Sequence, residues 1–193
     1  ASISFMDAQV GRVLQALDEL GLRDDTVILF TSDHGYHMGE HGYFQKTTLF
    51  EDADRVPLIV STPDMKTRGE STGAMVEMVD FYRTLSELAE VNLPLEYIQG
   101  ESFAEVLNDP EASPRPDAIT QLVNGYSLRT PRYRFTQWSD TPGFSTELYD
   151  RLSDPAEMVN LANDPVYADV VSQLSDRLAE RIANITTPVD GLK

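Results

Sequence analysis

The chain has 193 residues, 41% of them apolar, enough to bury a core in one domain or one and a fraction. Asp and Glu number 32 against 15 Lys and Arg, a formal net charge of -17 with no basic block, which argues against a nucleic-acid partner and requires a local positive site to capture any anionic substrate. Cysteine is absent, so disulfides, thiolate metal sites and a cysteine nucleophile are excluded within these residues, and no apolar run approaches the length of a membrane span.

Residues 4–20 place Met6, Val10, Val13, Leu14, Leu17 and Leu20 on one face at helical spacing, with Gly21 as a stop. The run TVILFTS, residues 26–32, is nearly continuous in apolar and β-branched residues. It predicts a strand of a parallel sheet covered on both faces, and VPLIVST, residues 56–62, predicts a second. Residues 76–91 read as an amphipathic helix, and residues 102–109 as a short one ended by Pro110. After a linker-like ASPRPDA, the segments AITQLV, GYSLRT and YRFTQW suggest an antiparallel meander, and residues 166–185 a closing helix. Two strands cannot form a sheet covered on both faces, since such sheets have about five or six. The chain is therefore expected to be the C-terminal piece of a larger α/β protein whose other strands precede Ala1.

Between the two apolar runs lies TSDHGYHMGEHGYFQK, residues 31–46, which holds all three histidines and one of the three lysines. Open α/β sheets place their reactive crevice beyond the carboxyl ends of the strands, where Asp33 and His34 fall. A carboxylate and an imidazole fixed side by side there can both reach a cation, and such a site suits Ca2+ or Mg2+ better than zinc. Two ligands do not complete a site, so others must come from elsewhere. Taken alone, an Asp-His pair is more often a turn cap than a pair of ligands; the clustering of histidines is what favours the metal.

Gly35, Gly39 and Gly42 allow the loop to fold tightly and return His37, His41 and Lys46 over the crevice. Lys46 is the candidate to neutralise a sulfate or phosphate oxygen, although a solvated surface lysine is the default. His41 is a candidate proton donor or substrate contact. Glu40 reads as a structural partner of the loop, and His37 as exposed.

The segment SDHGYHMGEHGYFQKTTLFEDADRVPLIV resembles the C-terminal active-site segment of type I sulfatases in the alkaline phosphatase superfamily, most closely the iduronate-2-sulfatase-like branch. MDAQVGRVLQALDELGLRDDTVILFTSDHG, VEMVDFYRTLSELAEV, GYSLRTPRYRFTQW and ELYDRLSDPAEMVNLANDP resemble other parts of the same family, so the resemblance covers almost the whole chain. It implies that Asp33 and His34 are the two late ligands of one divalent cation, usually Ca2+ with Mg2+ an alternative, and that Lys46 contacts the sulfate. His41 carries over only as a candidate substrate contact. Many relatives have asparagine at the position of His34, and the Asp-His pair also admits the phosphonate monoester hydrolase and choline sulfatase branches.

The family's nucleophile is a formylglycine made within a C/S-x-P-S/A-R motif, and no such motif occurs in these residues. The resemblance thus implies a sulfuric ester hydrolase completed by an N-terminal part of the same enzyme, with this piece alone inactive. A sulfated small molecule or short sulfated saccharide is the implied substrate, and export to the periplasm or medium of a bacterium the implied location. The implied fold is the C-terminal part of an alkaline phosphatase-like α/β sandwich over residues 1–112, then an antiparallel sheet and helix subdomain over 113–193. Leu128, Tyr133, Phe135 and Trp138 would be core of that sheet, with Tyr126 or Trp138 as alternative contributors to a substrate mouth. A phosphodiesterase, or a module for folding or binding only, are the competing readings.

Overall fold

The computed structural model describes residues 1–92, 98–138 and 145–186. Helix α1 (Ser2–Glu19) forms where the helical spacing predicts it, yet buries none of its residues. Ile3, Phe5 and Val13 stand exposed along it, as does Leu20 at its C-terminal cap.

Strands β1 (Ile28–Thr31) and β2 (Leu58–Ser61) occupy the two apolar runs, but they pair antiparallel, Ile28 opposite Ser61 and Thr31 opposite Leu58. The expected parallel arrangement is thereby corrected. A parallel return usually runs through a helix packed on the sheet, whereas the connection here is a loop with a 3-10 turn at Glu40–Gly42 and the four-residue helix α2 (Glu51–Asp54). Nor are both faces of the pair covered: β1 is half-buried throughout, and β2 alternates between half-buried and exposed.

Helix α3 (Asp80–Leu88) is shorter than the 76–91 expected. Its start is set by the fully buried Asp80, whose carboxylate accepts the N–H of Glu77 at 2.8 Å and that of Glu101 at 2.9 Å and pairs with Arg115. A 3-10 turn at Ala104–Leu107 replaces the second short helix and buries Ala104, Val106 and Leu107.

The predicted meander is present as β3 (Ala118–Leu122), β4 (Gly125–Arg129), β5 (Tyr133–Trp138) and β6 (Thr146–Asp150), paired in chain order. The fourth strand, TELYD, follows three that the turn residues mark out and was not among the expected elements. Helix α4 (Ala168–Thr186) closes the chain as expected and packs Leu174 and Leu178 on Leu128, Phe135 and Leu148. Burial of each such side chain contributes about 1.5–3 kcal/mol. Tyr126 and Tyr133 pack at the margin of this core, so Tyr126 belongs to the sheet's packing. Trp138 does not belong to it: strand alternation puts it with Arg134 and Thr136 on the opposite face, its ring over Gly125, where an added Cβ would lie 2.4 Å away.

That opposite face is also buried, and it is polar. Ser127, Arg134 and Thr136 are almost inaccessible there, with the Ser127 hydroxyl accepting from both Arg134 Nη1 and Thr136 Oγ1 at 3.0 Å. Against it sits α2. Arg134 donates to Glu51 Oε2 at 2.6 Å and Asp54 Oδ2 at 2.7 Å in α2, and to Glu157 Oε1 at 2.8 Å. Arg129 and Arg151 also pair with Glu51. The histidine loop leads directly into α2, so this cluster fixes the loop's far end on the small sheet. Among the described residues no helix is long and apolar enough to cross a membrane.

Candidate functional site

Strand β1 ends at Thr31, and the chain turns at Asp33 and His34. The turn is tight because Gly35 lies against α2: its N–H donates to Ala53 O at 2.8 Å, and a Cβ at this position would fall 1.9 Å from Asp52 O. The loop then closes on itself through His37 N–H to Gln45 O and Gly39 N–H to Tyr43 O, both at 2.9 Å. At its tip, Glu40–Gly42 forms a 3-10 turn in which His41 takes φ 53, a conformation that non-glycine residues adopt at a cost. Glu40 accepts the N–H of Met38, and its own N–H and that of Met38 hold its carboxyl below the usual range. It is the structural partner the sequence suggested.

This closure returns Lys46 to His34. Lys46 Nζ lies 2.7 Å from His34 Nε2, and Asp33 Oδ2 lies 3.3 Å from the same nitrogen. His34 Nδ1 is 2.7 Å from Gly35 O. A carbonyl only accepts, so Nδ1 carries the hydrogen and Nε2 presents its lone pair, to which the ammonium donates. This is the tautomer a metal-binding imidazole needs, with a backbone carbonyl orienting the ring from behind. Partial desolvation raises the Asp33 carboxyl, but His34, the N–H groups of Asp33 and His34, and Lys46 outweigh it and leave it below its ordinary value. Its side chain is 83% exposed, so the anionic oxygen is open on the outer side. The donor set therefore fits a hard divalent cation as far as it goes, while among the described residues no group of three or more ligating side chains converges.

Asp33, His34 and Lys46 are thus brought together, with Lys46 otherwise exposed. The contacts of His41 lie elsewhere: its ring stacks on Phe50, centroids 3.8 Å apart, and meets His37 edge-on at 5.8 Å. A cleft of about 650 Å³ opens beside it, lined also by Tyr43, Asp52 and Met158; Asp33, His34 and Lys46 do not line it. His37 is fully buried, correcting the expectation of an exposed ring. Its Nε2 is 2.7 Å from Thr48 Oγ1, and the rings of His41, Tyr43 and Phe50 close around it. Thr48 escaped the sequence reading because a threonine in a loop carries no signal of the partner that reaches it.

The ion cluster beneath α2 is strongly polarised. Burial raises Asp54 to about 6, with Arg134 opposing and Glu157 and Glu51 reinforcing. Burial also acts to raise Glu51, but Arg129 and Arg134 overcome it and lower the group to about 2.

The sequence pattern of "N-sulphoglucosamine sulphohydrolase, C-terminal" matches residues 39–184. The chain belongs to this sulfatase C-terminal family. It is 31% identical to an N-acetylglucosamine-6-O-sulfatase of Bacteroides thetaiotaomicron, a match that covers 93% of this chain and 34% of that protein. It is 30% identical to human iduronate 2-sulfatase, over 90% of this chain and 45% of that one. A solved structure described as a complex with its substrate D-glucosamine-2-N,6-O-disulfate superposes with a TM-score of 0.86 at 30% identity, covering 96% of this chain and 40% of that one. The resemblance to sulfatases, iduronate 2-sulfatase among them, holds, as does the alkaline phosphatase-like α/β fold with its antiparallel sheet and C-terminal helix. The chain spans between about a third and a half of the length of these relatives.

Proposed function

We propose that the chain is the metal- and sulfate-binding C-terminal part of an enzyme that hydrolyses sulfuric esters of small molecules or short saccharides. The observation that carries this reading is the convergence of Asp33 Oδ2 and Lys46 Nζ on His34 Nε2 in a chain that matches a sulfatase C-terminal family over residues 39–184. Asp33 and His34 would hold a divalent cation, Ca2+ with Mg2+ as the alternative, together with ligands from an N-terminal part. Bound there, the cation supplies Lewis acidity toward a sulfate oxygen. The formylglycine nucleophile belongs to that other part.

What these residues do follows from their chemistry. Lys46 is a compact charge on a flexible stem, and with a cation held by His34 its ammonium would be available to the sulfate group, whose anionic charge it would offset through the transition state. The Gly35 carbonyl keeps Nδ1 protonated, and with it the direction of Nε2. In such a site Lys46 contributes on the order of 3 kcal/mol to the transition state. His41, beside its cleft, contacts the substrate outside the sulfate. The net charge of -17 repels long polyanions and favours short substrates. Residues 1–112 finish the α/β domain, against which the exposed apolar face of α1 is covered, and 113–193 form the subdomain that carries the loop's anchor.

The test is turnover of an aryl sulfate by the complete protein, with Lys46→Ala and Asp33→Ala as variants. Loss of turnover in both supports the reading. Hydrolysis of an aryl phosphonate in preference to the sulfate assigns the phosphonate hydrolase branch instead, and wild-type rates in both variants remove the proposal.

A further inference from the structure

Lys46 is held from two sides by one residue, His37, whose side chain is spent on Thr48. The backbone N–H of His37 takes the carbonyl of Gln45 at 2.9 Å, one residue before Lys46. The side chain of the same histidine meets the hydroxyl of Thr48 at 2.7 Å, two residues after it. Between these anchors, Thr48 N–H donates to Lys46 O at 3.0 Å, closing a three-residue turn that starts at the lysine and is centred on Thr47. The ring of His37 is completely inaccessible and Thr48 is nearly so.

Burial makes the arrangement stiff. Away from water, the His37–Thr48 bond has no solvent competitor, and breaking it would strand a polar atom on each side. The remaining ring nitrogen, Nδ1, has no hydrogen-bond partner, and Asp52 Oδ2 lies 3.9 Å from it, too far to bond. Thr48 is thus the hydrogen-bond partner of this imidazole. A buried, half-satisfied histidine is costly when an apolar ring would fill the same space, which points to a task beyond packing.

We infer that His37 and Thr48 act as a positioning clamp that sets the reach of the Lys46 ammonium toward the sulfate. The inference rests on the sulfatase reading, because it takes Lys46 as the sulfate contact. A long lysine side chain has many rotamers, and a turn fixed at positions 45 and 48 restricts where its stem departs.

The experiment uses the complete enzyme with an aryl sulfate and measures kcat and KM separately for His37→Phe, Thr48→Val, the double variant, His37→Gln and Lys46→Ala. His37→Phe keeps the ring and Thr48→Val the shape, while each removes the hydrogen bond; near-ultraviolet circular dichroism confirms a native fold. The clamp predicts that kcat falls by about 10- to 100-fold in each single variant with KM changed far less. The double variant is then no slower than the worse single one, and His37→Gln, which returns a polar atom to the reach of Thr48, recovers most of the loss. Folded Thr48→Val with wild-type kcat, or losses that multiply in the double variant, overturn the clamp. Lys46→Ala separates the two layers. Wild-type kcat in that variant removes the lysine's role and the clamp with it, whereas an inactive Lys46→Ala beside an unimpaired Thr48→Val removes the clamp alone.

Discussion

The ammonium of Lys46 donates to Nε2 of His34 across twelve positions of chain, at 2.7 Å, while the other ring nitrogen is tied to the carbonyl of Gly35. An ammonium at that lone pair marks the place where positive charge is favoured, and Asp33 Oδ2 faces the same nitrogen.

Cation binding should depend on Asp33 and not on Glu40, although both are exposed carboxylates of one loop. Glu40 is turned back on the N–H of Met38, whereas Asp33 keeps an open oxygen. Calorimetric titration of the complete protein with Ca2+ should show Asp33→Asn weakening affinity by about tenfold or more, with Glu40→Gln near wild type. Equal losses would remove Asp33 from the ligand set.

Gly35→Ala should disrupt the loop's entry. The added Cβ meets Asp52 O at 1.9 Å, a backbone atom of α2 that the ion cluster holds in place. Thermal or urea unfolding should show a loss of about 1–3 kcal/mol, together with weaker Ca2+ binding. Unchanged stability and affinity would mean that α2 yields freely.

Arg134→Leu should be among the most damaging single changes. It leaves Glu51, Asp54 and Glu157 facing one another in a buried site, balanced among the described residues by Arg129 and Arg151. Removal of one partner from a buried pair costs about 3–5 kcal/mol, readable by urea denaturation. A loss below 1 kcal/mol would show that water reaches the cluster.

How the stability of the protein varies with pH should carry the mark of Asp54. Its folded pKa of about 6 lies above the ordinary 3.8, so the folded protein retains a proton that the unfolded chain has lost. The stability contributed by this group is complete at low pH and declines as pH rises from about 4 to about 6, by on the order of 2–3 kcal/mol. Glu51, lowered to about 2, acts in the opposite sense: its contribution is complete above its ordinary 4.5 and is lost as pH falls from there toward 2. Asp54→Asn should therefore gain on the wild type between pH 4 and 7. A constant difference across that range would contradict the assignment.

The elements visible in the sequence were those whose cause is local. The runs at 28–31 and 58–61, the closing helix and the first three strands of the meander announce themselves by periodicity and turn residues. Pairing direction is not local: TVILFTS reads the same in a parallel or antiparallel sheet, and the direction appears only in the register that sets Ile28 opposite Ser61. That Asp33, His34 and Lys46 come together was legible because they crowd into one glycine-rich loop. His37 was misjudged because what buries it, Thr48 and the rings of Tyr43 and Phe50, lies 6 to 13 residues further along. Arg134 was invisible for the same reason on a larger scale: its partners Asp54 and Glu157 stand 80 and 23 positions away.

The most direct test of the account is the position of the cation. Crystals of the complete protein grown with Ca2+ should give an anomalous peak about 2.3–2.6 Å from a carboxylate oxygen of Asp33, with His34 Nε2 also bonded to the ion and Lys46 withdrawn from it. A peak that leaves Asp33 and His34 unbonded, for instance between Glu40 and Asp52, would contradict it.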